Sequence, residues 1–194
     1  MNFISLIFSA TVIFSTLSIG SDVKKEIRSI LEQRDQQIKE LVGPEDTELT
    51  EAQREKLRRI INDMMDFREI ASFALADKYD ELSRDEQEEF IDLFARIIRD
   101  QSLQQLDIYR AEVIYEDIDV SNGSAIVTTT AVLEDTRIPV SYRMQKRAGE
   151  WVFTDMSVDD AWTAESYRRS FQNIIRRRGY DALIENLRKR AEQT

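Results

Sequence analysis

Residues 112–158 read EVIYEDIDVSNGSAIVTTTAVLEDTRIPVSYRMQKRAGEWVFTDMSV. Here the apolar residues change from the helical spacing of three to four residues to a spacing of two residues. Apolar side chains take every second position of the third segment: Ile138, Val140, Tyr142 and Met144. Such alternation is typical of a strand with one apolar and one solvated face. Asn122-Gly123 and Ala148-Gly149 are turn signals between extended segments. The stretch therefore predicts a four-stranded antiparallel meander, with Pro139 at an edge or a bulge because it lacks a backbone N–H.

The residues before this stretch show helical spacing. The first apolar stripe is interrupted by Arg34 and ends at Gly43-Pro44, where a glycine and a residue that cannot continue a helix mark its C-terminus. Its members are Val23, Ile27, Ile30, Leu31, Ile38, Leu41 and Val42. Three capping pairs predict further helix starts, since each places a polar side chain three residues before a partner that reaches back. These pairs are Thr50 with Gln53, Asp66 with Glu69, and Ser83 with Glu86.

Two closing helices are predicted after the sheet. One carries Tyr167, Phe171, Ile174 and Ile175 and ends at Arg176-Arg177-Arg178 and Gly179, and the other carries Leu183, Ile184 and Leu187. The three arginines suit a helix C-terminus, although a patch that meets lipid phosphate or an acidic partner is the alternative. The fold class is thus α+β: a helical part at about 21–110, a curved antiparallel sheet at about 112–158, and helices at about 163–191 that fold back onto one sheet face.

The first twenty residues predict a secretory signal peptide. Met1 to Gly20 contains no ionised side chain, and Phe3 to Ile19 is an apolar run interrupted only by Ser and Thr. Ser18 and Gly20 are small residues at the −3 and −1 positions of a cleavage site. We therefore expect cleavage near Gly20 and a single domain over residues 21–194, the alternative being an uncleaved membrane anchor.

The composition disfavours most kinds of catalysis. The chain has no Cys and no His, so it lacks a thiolate nucleophile, a disulfide and the usual general base and metal ligand. No cofactor or metal is expected. A net charge of −10 argues against binding nucleic acid, which needs a basic surface.

An apolar pocket between sheet and helices is the candidate binding site, because pockets for hydrocarbon are lined by aromatic and flexible side chains. The candidate lining consists of Phe73, Phe90, Phe94, Ile97, Val140, Tyr142, Met144, Val152 and Met156, with Tyr167 and Phe171 closing it. The alternative is that these side chains pack against one another as core.

Asp155 is the one carboxylate among apolar neighbours in the last strand. A period of two places it with Trp151 and Phe153 and opposite Val152 and Met156. A raised pKa would make it a candidate base together with Tyr142. We favour a side chain that is solvated or paired with a neighbouring arginine.

Several stretches carry a resemblance to a known family. They are Phe67–Leu75, Leu82–Phe94, Ile138–Arg143, Gly149–Val158, Ser166–Phe171 and Arg178–Ile184. In this order they resemble the MlaC family, the periplasmic phospholipid carriers of the maintenance-of-lipid-asymmetry pathway, also called toluene-tolerance auxiliary proteins of an ABC transporter. One departure is Asp159-Asp160-Ala161-Trp162, where the family has an acidic residue, Gly and small apolar residues. The large Trp162 is expected to narrow or reshape the pocket rim.

The resemblance implies a sheet similar to the nuclear-transport-factor-like cone, beside a helical subdomain. It implies a non-enzymatic protein that holds the acyl chains of a phospholipid inside and moves the lipid through the periplasm. The implied partners are an outer-membrane lipoprotein complex and an inner-membrane MCE-domain protein with its ABC transporter. Two other hypotheses stay open: a small isomerase or hydro-lyase using Asp155 and Tyr142, and a protein-binding module without a cavity.

Overall fold

The computed structural model describes residues 17–45, 47–104 and 106–193. Residues 1–16 of the predicted signal peptide lie outside the described residues. The first helix begins at Leu17 and continues through Gly20. The helices are α1 Leu17–Val42, α2 Glu51–Met64, α3 Phe67–Leu75, α4 Asp77–Glu81, α5 Arg84–Gln104, a 3₁₀ helix Leu106–Arg110, α6 Thr163–Arg178 and α7 Tyr180–Glu192. The strands are β1 Glu112–Ser121, β2 Ser124–Leu133, β3 Thr136–Arg147, β4 Glu150–Val158 and β5 Ala161–Trp162.

The three predicted helix starts are confirmed. The Gln53 backbone N–H donates to the Thr50 hydroxyl while the Thr50 N–H donates to the Gln53 side chain, which closes the capping box of α2. The Asp66 carboxylate accepts the backbone N–H of Glu69 at the start of α3. Ser83 and Glu86 make the same reciprocal pair before α5. Within the described part of the chain, no helix combines the length and apolar character needed to cross a bilayer.

The sheet is antiparallel throughout, in the order β1-β2-β3-β4-β5. The α+β class with a curved antiparallel sheet is confirmed, and the two-residue β5 adds a fifth strand to the four predicted. Both predicted turns join adjacent strands. Asn122 and Gly123 have positive φ values of 49° and 75°. Ala148 and Gly149 also have positive φ values, of 49° and 94°. Paired left-handed residues match the twist of the flanking strands, which explains the tight hairpins.

Two β-bulges reverse the alternation of side chains. In β1 the register shifts between Tyr115 and Asp117, and in β4 Thr154 is the extra residue between Phe153 and Asp155. An inserted residue changes which face later side chains occupy. As a result Phe153 and Met156 share one face of β4, although their spacing of three predicts opposite faces.

Pro139 lies in β3, an inner strand, rather than at the expected edge or bulge. Its carbonyl accepts the backbone N–H of Asp159 at 2.9 Å, in the turn beyond the last β3–β4 pair, Val140 with Val158. Because a strand residue directs its N and its carbonyl to the same side, the Pro139 nitrogen also faces that end of the ladder. Because Pro139 lies beyond the last β3–β4 pair, its missing N–H does not deprive any carbonyl of the ladder of a hydrogen bond.

Two of the packing regions of the fold position the sheet and the closing helices. On one sheet face, Ile27 and Leu31 of α1 pack against Val127, Met144 and Phe153. Beside the sheet, α3, α5, α6 and α7 form a helical cluster. The closing helices were expected on a sheet face, and α6 does contact β4 and β5, whereas α7 packs against α5 and α6. Helix α6 also directs Phe171 against Phe90 and Phe94 of α5.

Candidate binding cavity

A cavity of about 180 Å³ lies between α1, the end of α2, the 3₁₀ helix and the inner face of the sheet. The helical part of its lining is Leu31, Arg34, Asp35, Ile38, Ile61, Met64, Met65, Ile108 and Tyr109. The sheet part is Val113, Tyr115, Thr129, Ala131, Val140, Tyr142, Phe153, Met156 and Val158. Aliphatic, methionine and aromatic side chains dominate this wall, and polar groups are few, as in pockets that hold hydrocarbon.

The sheet presents this wall because of both bulges. Val113 and Tyr115 precede the bulge in β1, and Phe153 precedes the bulge in β4 while Met156 follows it. The rings of Tyr142 and Phe153 stack with centroids 5.0 Å apart, which makes the floor of the cavity continuous between β3 and β4. The Thr129 hydroxyl donates to the Val140 carbonyl at 2.8 Å, so this buried polar group is satisfied within the wall.

Tyrosine hydroxyls supply part of the polarity inside the cavity. Burial, with smaller contributions from Tyr109 and Asp35, raises the pKa of Tyr142 to about 12, and a hydrogen bond with Thr129 acts in the other direction. Burial also raises the pKa of Tyr115, with Tyr142 and Asp35 adding to the effect. Both phenols are therefore neutral at physiological pH. They can donate hydrogen bonds, and neither is activated as a base or a nucleophile.

Helix α1 brings one carboxylate and one guanidinium to the wall. Asp35 is paired with Lys39 at 2.8 Å, one helical turn further on. Arg34 is half-buried, and the polar contact of its guanidinium is a long one, 3.4 Å to the side-chain oxygen of Gln37. Among the described residues, no group of three or more acidic side chains is arranged to hold a metal ion.

Three of the predicted site residues lie on this cavity: Val140, Tyr142 and Met156. Two others from the sheet lie elsewhere. Met144 is on the same face but packs under α1 and is 1% exposed. Val152 is half-buried and pairs with Gln145. It alternates with Trp151 and Phe153, which point into the core, so Val152 lies on the other face of β4.

The predicted residues from the helices lie outside the lining of this cavity. Phe90, Phe94, Ile97, Tyr167 and Phe171 belong to the helical cluster, where Phe94 and Tyr167 meet edge to face at 4.7 Å. Phe73 is 40% exposed, and the Arg168 guanidinium lies 4.9 Å from its ring centre. The four aromatic rings of α5 and α6 pack against one another because the two helices direct their apolar stripes toward each other. A contact between them and a ligand stays a prediction.

Asp155 is 4% exposed, so the expected solvated side chain is wrong, while the expected pairing with an arginine is confirmed. The bulge at Thr154 turns Asp155 to the face opposite Phe153, where it meets Arg143. Burial raises the pKa of Asp155, and hydrogen bonds from the backbone N–H groups of Ala164 and Met156 and the charge of Arg143 oppose the shift. Tyr142 and Asp155 therefore face opposite sides of the sheet.

Trp162 was expected at the pocket rim. It lies in β5, and the Arg143 guanidinium is stacked 3.7 Å from its ring centre, on the face with Asp155 rather than on the cavity. The bulky residue thus stacks on Arg143 of the Arg143–Asp155 pair and is not part of the cavity lining.

Sequence reasoning missed the helical half of the lining. The apolar stripe of α1 contains Leu31 and Ile38, and Met64 and Met65 end the next stripe. The break in the α1 stripe at Arg34 was the one available signal, since a charged residue on an apolar face marks a special environment.

The chain is similar in fold to the phospholipid-binding protein from Ralstonia solanacearum, solved in complex with a phospholipid, with a TM-score of 0.72 and 17% sequence identity. The match covers 88% of this chain and 97% of that chain, and at this identity it shows a shared fold. None of the curated proteins matches the chain significantly. The MlaC protein family matches residues 16–189, and the chain therefore belongs to the MlaC family.

Proposed function

We propose that this protein binds a phospholipid by its acyl chains and carries it, without catalysis, through the periplasm. The lipid would pass between an outer-membrane lipoprotein complex and an inner-membrane MCE-domain protein with its ABC transporter. The observation that carries the proposal is the apolar cavity between α1 and the inner face of the sheet. Membership of the MlaC family and the phospholipid bound by the Ralstonia solanacearum protein support it.

Such a cavity solves the main energetic problem of moving a lipid. Burying a methylene gains about 0.8 kcal/mol, so about 30 methylenes of a diacyl lipid impose roughly 25 kcal/mol against free passage through water. A wall as apolar as a bilayer interior makes transfer nearly neutral and therefore reversible. No reactive group is needed, and the direction of net transport comes from the partners.

The size of the cavity bears on how much of the lipid it holds. A volume of about 180 Å³ corresponds to about six water-sized groups at roughly 30 Å³ each, which is part of one acyl chain. A complete chain requires side chains of the wall to change rotamer. Met64, Met65 and Met156 line the cavity and are suited to this, because methionine is unbranched and adapts its shape.

The enzymatic alternative gains no support from the geometry. It requires Asp155 and Tyr142 in one site, and the two side chains lie on opposite faces of the sheet. The Asp155 carboxylate is also engaged by Arg143 and by two backbone N–H groups. The alternative of a binding module without a cavity requires a filled interior, in contrast to the cavity described here.

Native mass spectrometry of the protein purified from the periplasm of an expressing Gram-negative cell tests the proposal. We expect a mass increase that matches phospholipid, and N-terminal sequencing should give a mature chain that starts at Ser21. Repeated isolation of lipid-free protein that also fails to take up phospholipid from vesicles would refute the carrier function. A chain retained in the inner membrane with Met1 in place would refute the secretion that the function requires.

A further inference from the structure

Arg34 breaks the apolar stripe of α1 at a position that faces the cavity. Leu31, Arg34 and Ile38 are spaced by three and four residues, so they lie on one face of the helix. All three line the cavity. Among the described residues that form the lining, Arg34 is the one cationic side chain.

The neighbouring charges on α1 are already compensated. Arg28 pairs with Glu32 at 2.8 Å, and Lys39 pairs with Asp35 at 2.8 Å. Arg34 makes no ion pair with any residue of the described chain, and its contact with Gln37 is to a neutral amide oxygen. The side chain is half-buried against Leu31 and the other apolar groups of the wall.

A guanidinium in this position is costly without an anion. Removing a cation from water is unfavourable unless another charge and hydrogen bonds compensate it, and an arginine fork can bind two oxygens of one phosphate. The cavity thus combines an apolar interior with a single uncompensated cation. Its complement is an amphiphile that has hydrocarbon tails and an anionic group next to them.

We propose that Arg34 binds the phosphate of the lipid headgroup and so makes the cavity selective for phospholipids over uncharged acylglycerols. This inference rests on the proposed lipid carriage and adds the chemical group that is recognised. The phosphodiester is common to zwitterionic and anionic phospholipids, so recognition at Arg34 selects the lipid class rather than one headgroup. The neighbouring Asp35 is paired with Lys39, so its carboxylate does not form an ion pair with the guanidinium of Arg34.

Short-chain soluble lipids allow a direct test with the full, delipidated protein by isothermal titration calorimetry. The ligands are dioctanoylphosphatidylcholine, dioctanoylglycerol and dodecanoate. In Arg34→Gln we expect phosphatidylcholine affinity to fall about 10- to 100-fold, the usual effect of losing a charge-assisted hydrogen bond. Dioctanoylglycerol affinity should change by less than about threefold, because that ligand has no anion.

Lys25→Gln is the matched control, since Lys25 is on the same helix, is 79% exposed and pairs with Asp22 away from the cavity. It should leave all three affinities unchanged. An equal loss for phosphatidylcholine and dioctanoylglycerol in Arg34→Gln, or no loss for either, would overturn the proposal. A loss confined to dodecanoate would assign Arg34 to a fatty-acid carboxylate and overturn it as well. If the folded wild-type protein binds none of the three ligands, the proposed carriage itself fails.

Discussion

Arg143 of β3 and Asp155 of β4 form an ion pair of 3.1 Å beside the bulge that shifts the register of the two strands. The same carboxylate accepts the backbone N–H groups of Met156 and Ala164, each at 2.9 Å. Ala164 lies in the first turn of α6, and Trp162, which precedes that helix, provides no side-chain acceptor. Asp155 thus caps α6 from a neighbouring strand and holds the bulge that turns Met156 toward the cavity.

Asp155→Ala should lower the free energy of unfolding by about 2–3 kcal/mol, because it leaves buried N–H groups without acceptors and Arg143 without its partner. Asp155→Asn should cost about 1 kcal/mol or less, since the amide oxygen can still accept both N–H groups and the buried negative charge is removed. Urea unfolding at pH 7 measures both values. Glu150→Gln at the exposed start of β4 is the control. Equal losses of unfolding free energy in Asp155→Asn and Asp155→Ala would show that the charge of Asp155, rather than its hydrogen bonds to the backbone, stabilises the fold.

The raised pKa of Asp155 has a definite effect on stability against pH. A carboxyl with a raised folded-state pKa binds its proton more tightly in the folded than in the unfolded state. The wild-type protein should therefore lose stability relative to Asp155→Asn as the pH rises from about 3.9, the ordinary value, through the folded-state pKa. Above that pKa the difference should be constant. Urea unfolding of both proteins over a range of roughly pH 3.5 to 8 measures this difference in stability. A difference of opposite sign would mean that Arg143 outweighs burial.

Met156→Glu should empty the cavity of lipid while the protein stays folded. Met156 is half-buried on the lining, and a carboxylate there would have to be buried against acyl chains, which costs several kcal/mol. We expect at least about a tenfold fall in the lipid-bound fraction by native mass spectrometry. Ile126→Glu is the matched control, because Ile126 is 46% exposed on β2. Full lipid occupancy in Met156→Glu, or equal loss in both variants, would place the lipid elsewhere.

Phe94→Ala tests whether the aromatic cluster of the helices is core or binding site. Phe94 is fully buried against Phe90, Tyr167 and Phe171, so its truncation should cost about 3–5 kcal/mol in unfolding free energy. The lipid affinity of the folded fraction should change by about twofold or less, because the ring lies outside the cavity lining. Phe73→Ala, at a 40% exposed ring, should cost about 1 kcal/mol or less. A large loss of lipid affinity in Phe94→Ala would extend the binding site into the helical cluster.

Local chemistry predicted the parts of the fold that depend on neighbours in sequence. Thr50 with Gln53 and Ser83 with Glu86 start helices because each pair satisfies N–H groups within one turn. Asn122-Gly123 forms a hairpin because both residues accept a positive φ. The inward face of β3 was also predicted correctly, since Val140 and Tyr142 sit in a strand without a bulge between them.

Tertiary structure decided which surfaces meet. An apolar stripe indicates that a helix buries one face, but it does not indicate which element covers that face. The aromatics of α5 and α6 were therefore compatible with a packed core as well as with a cavity. The bulge at Thr154 depends on how β4 pairs with β3, and it moved Asp155 away from Phe153 and brought Met156 to the wall. The amino-acid sequence by itself determined the α+β class, the helix caps and the turns, because these are local. The position of the cavity, and the exposure of Arg34 to it, arose only when α1 packed across the sheet and left space that its side chains do not fill.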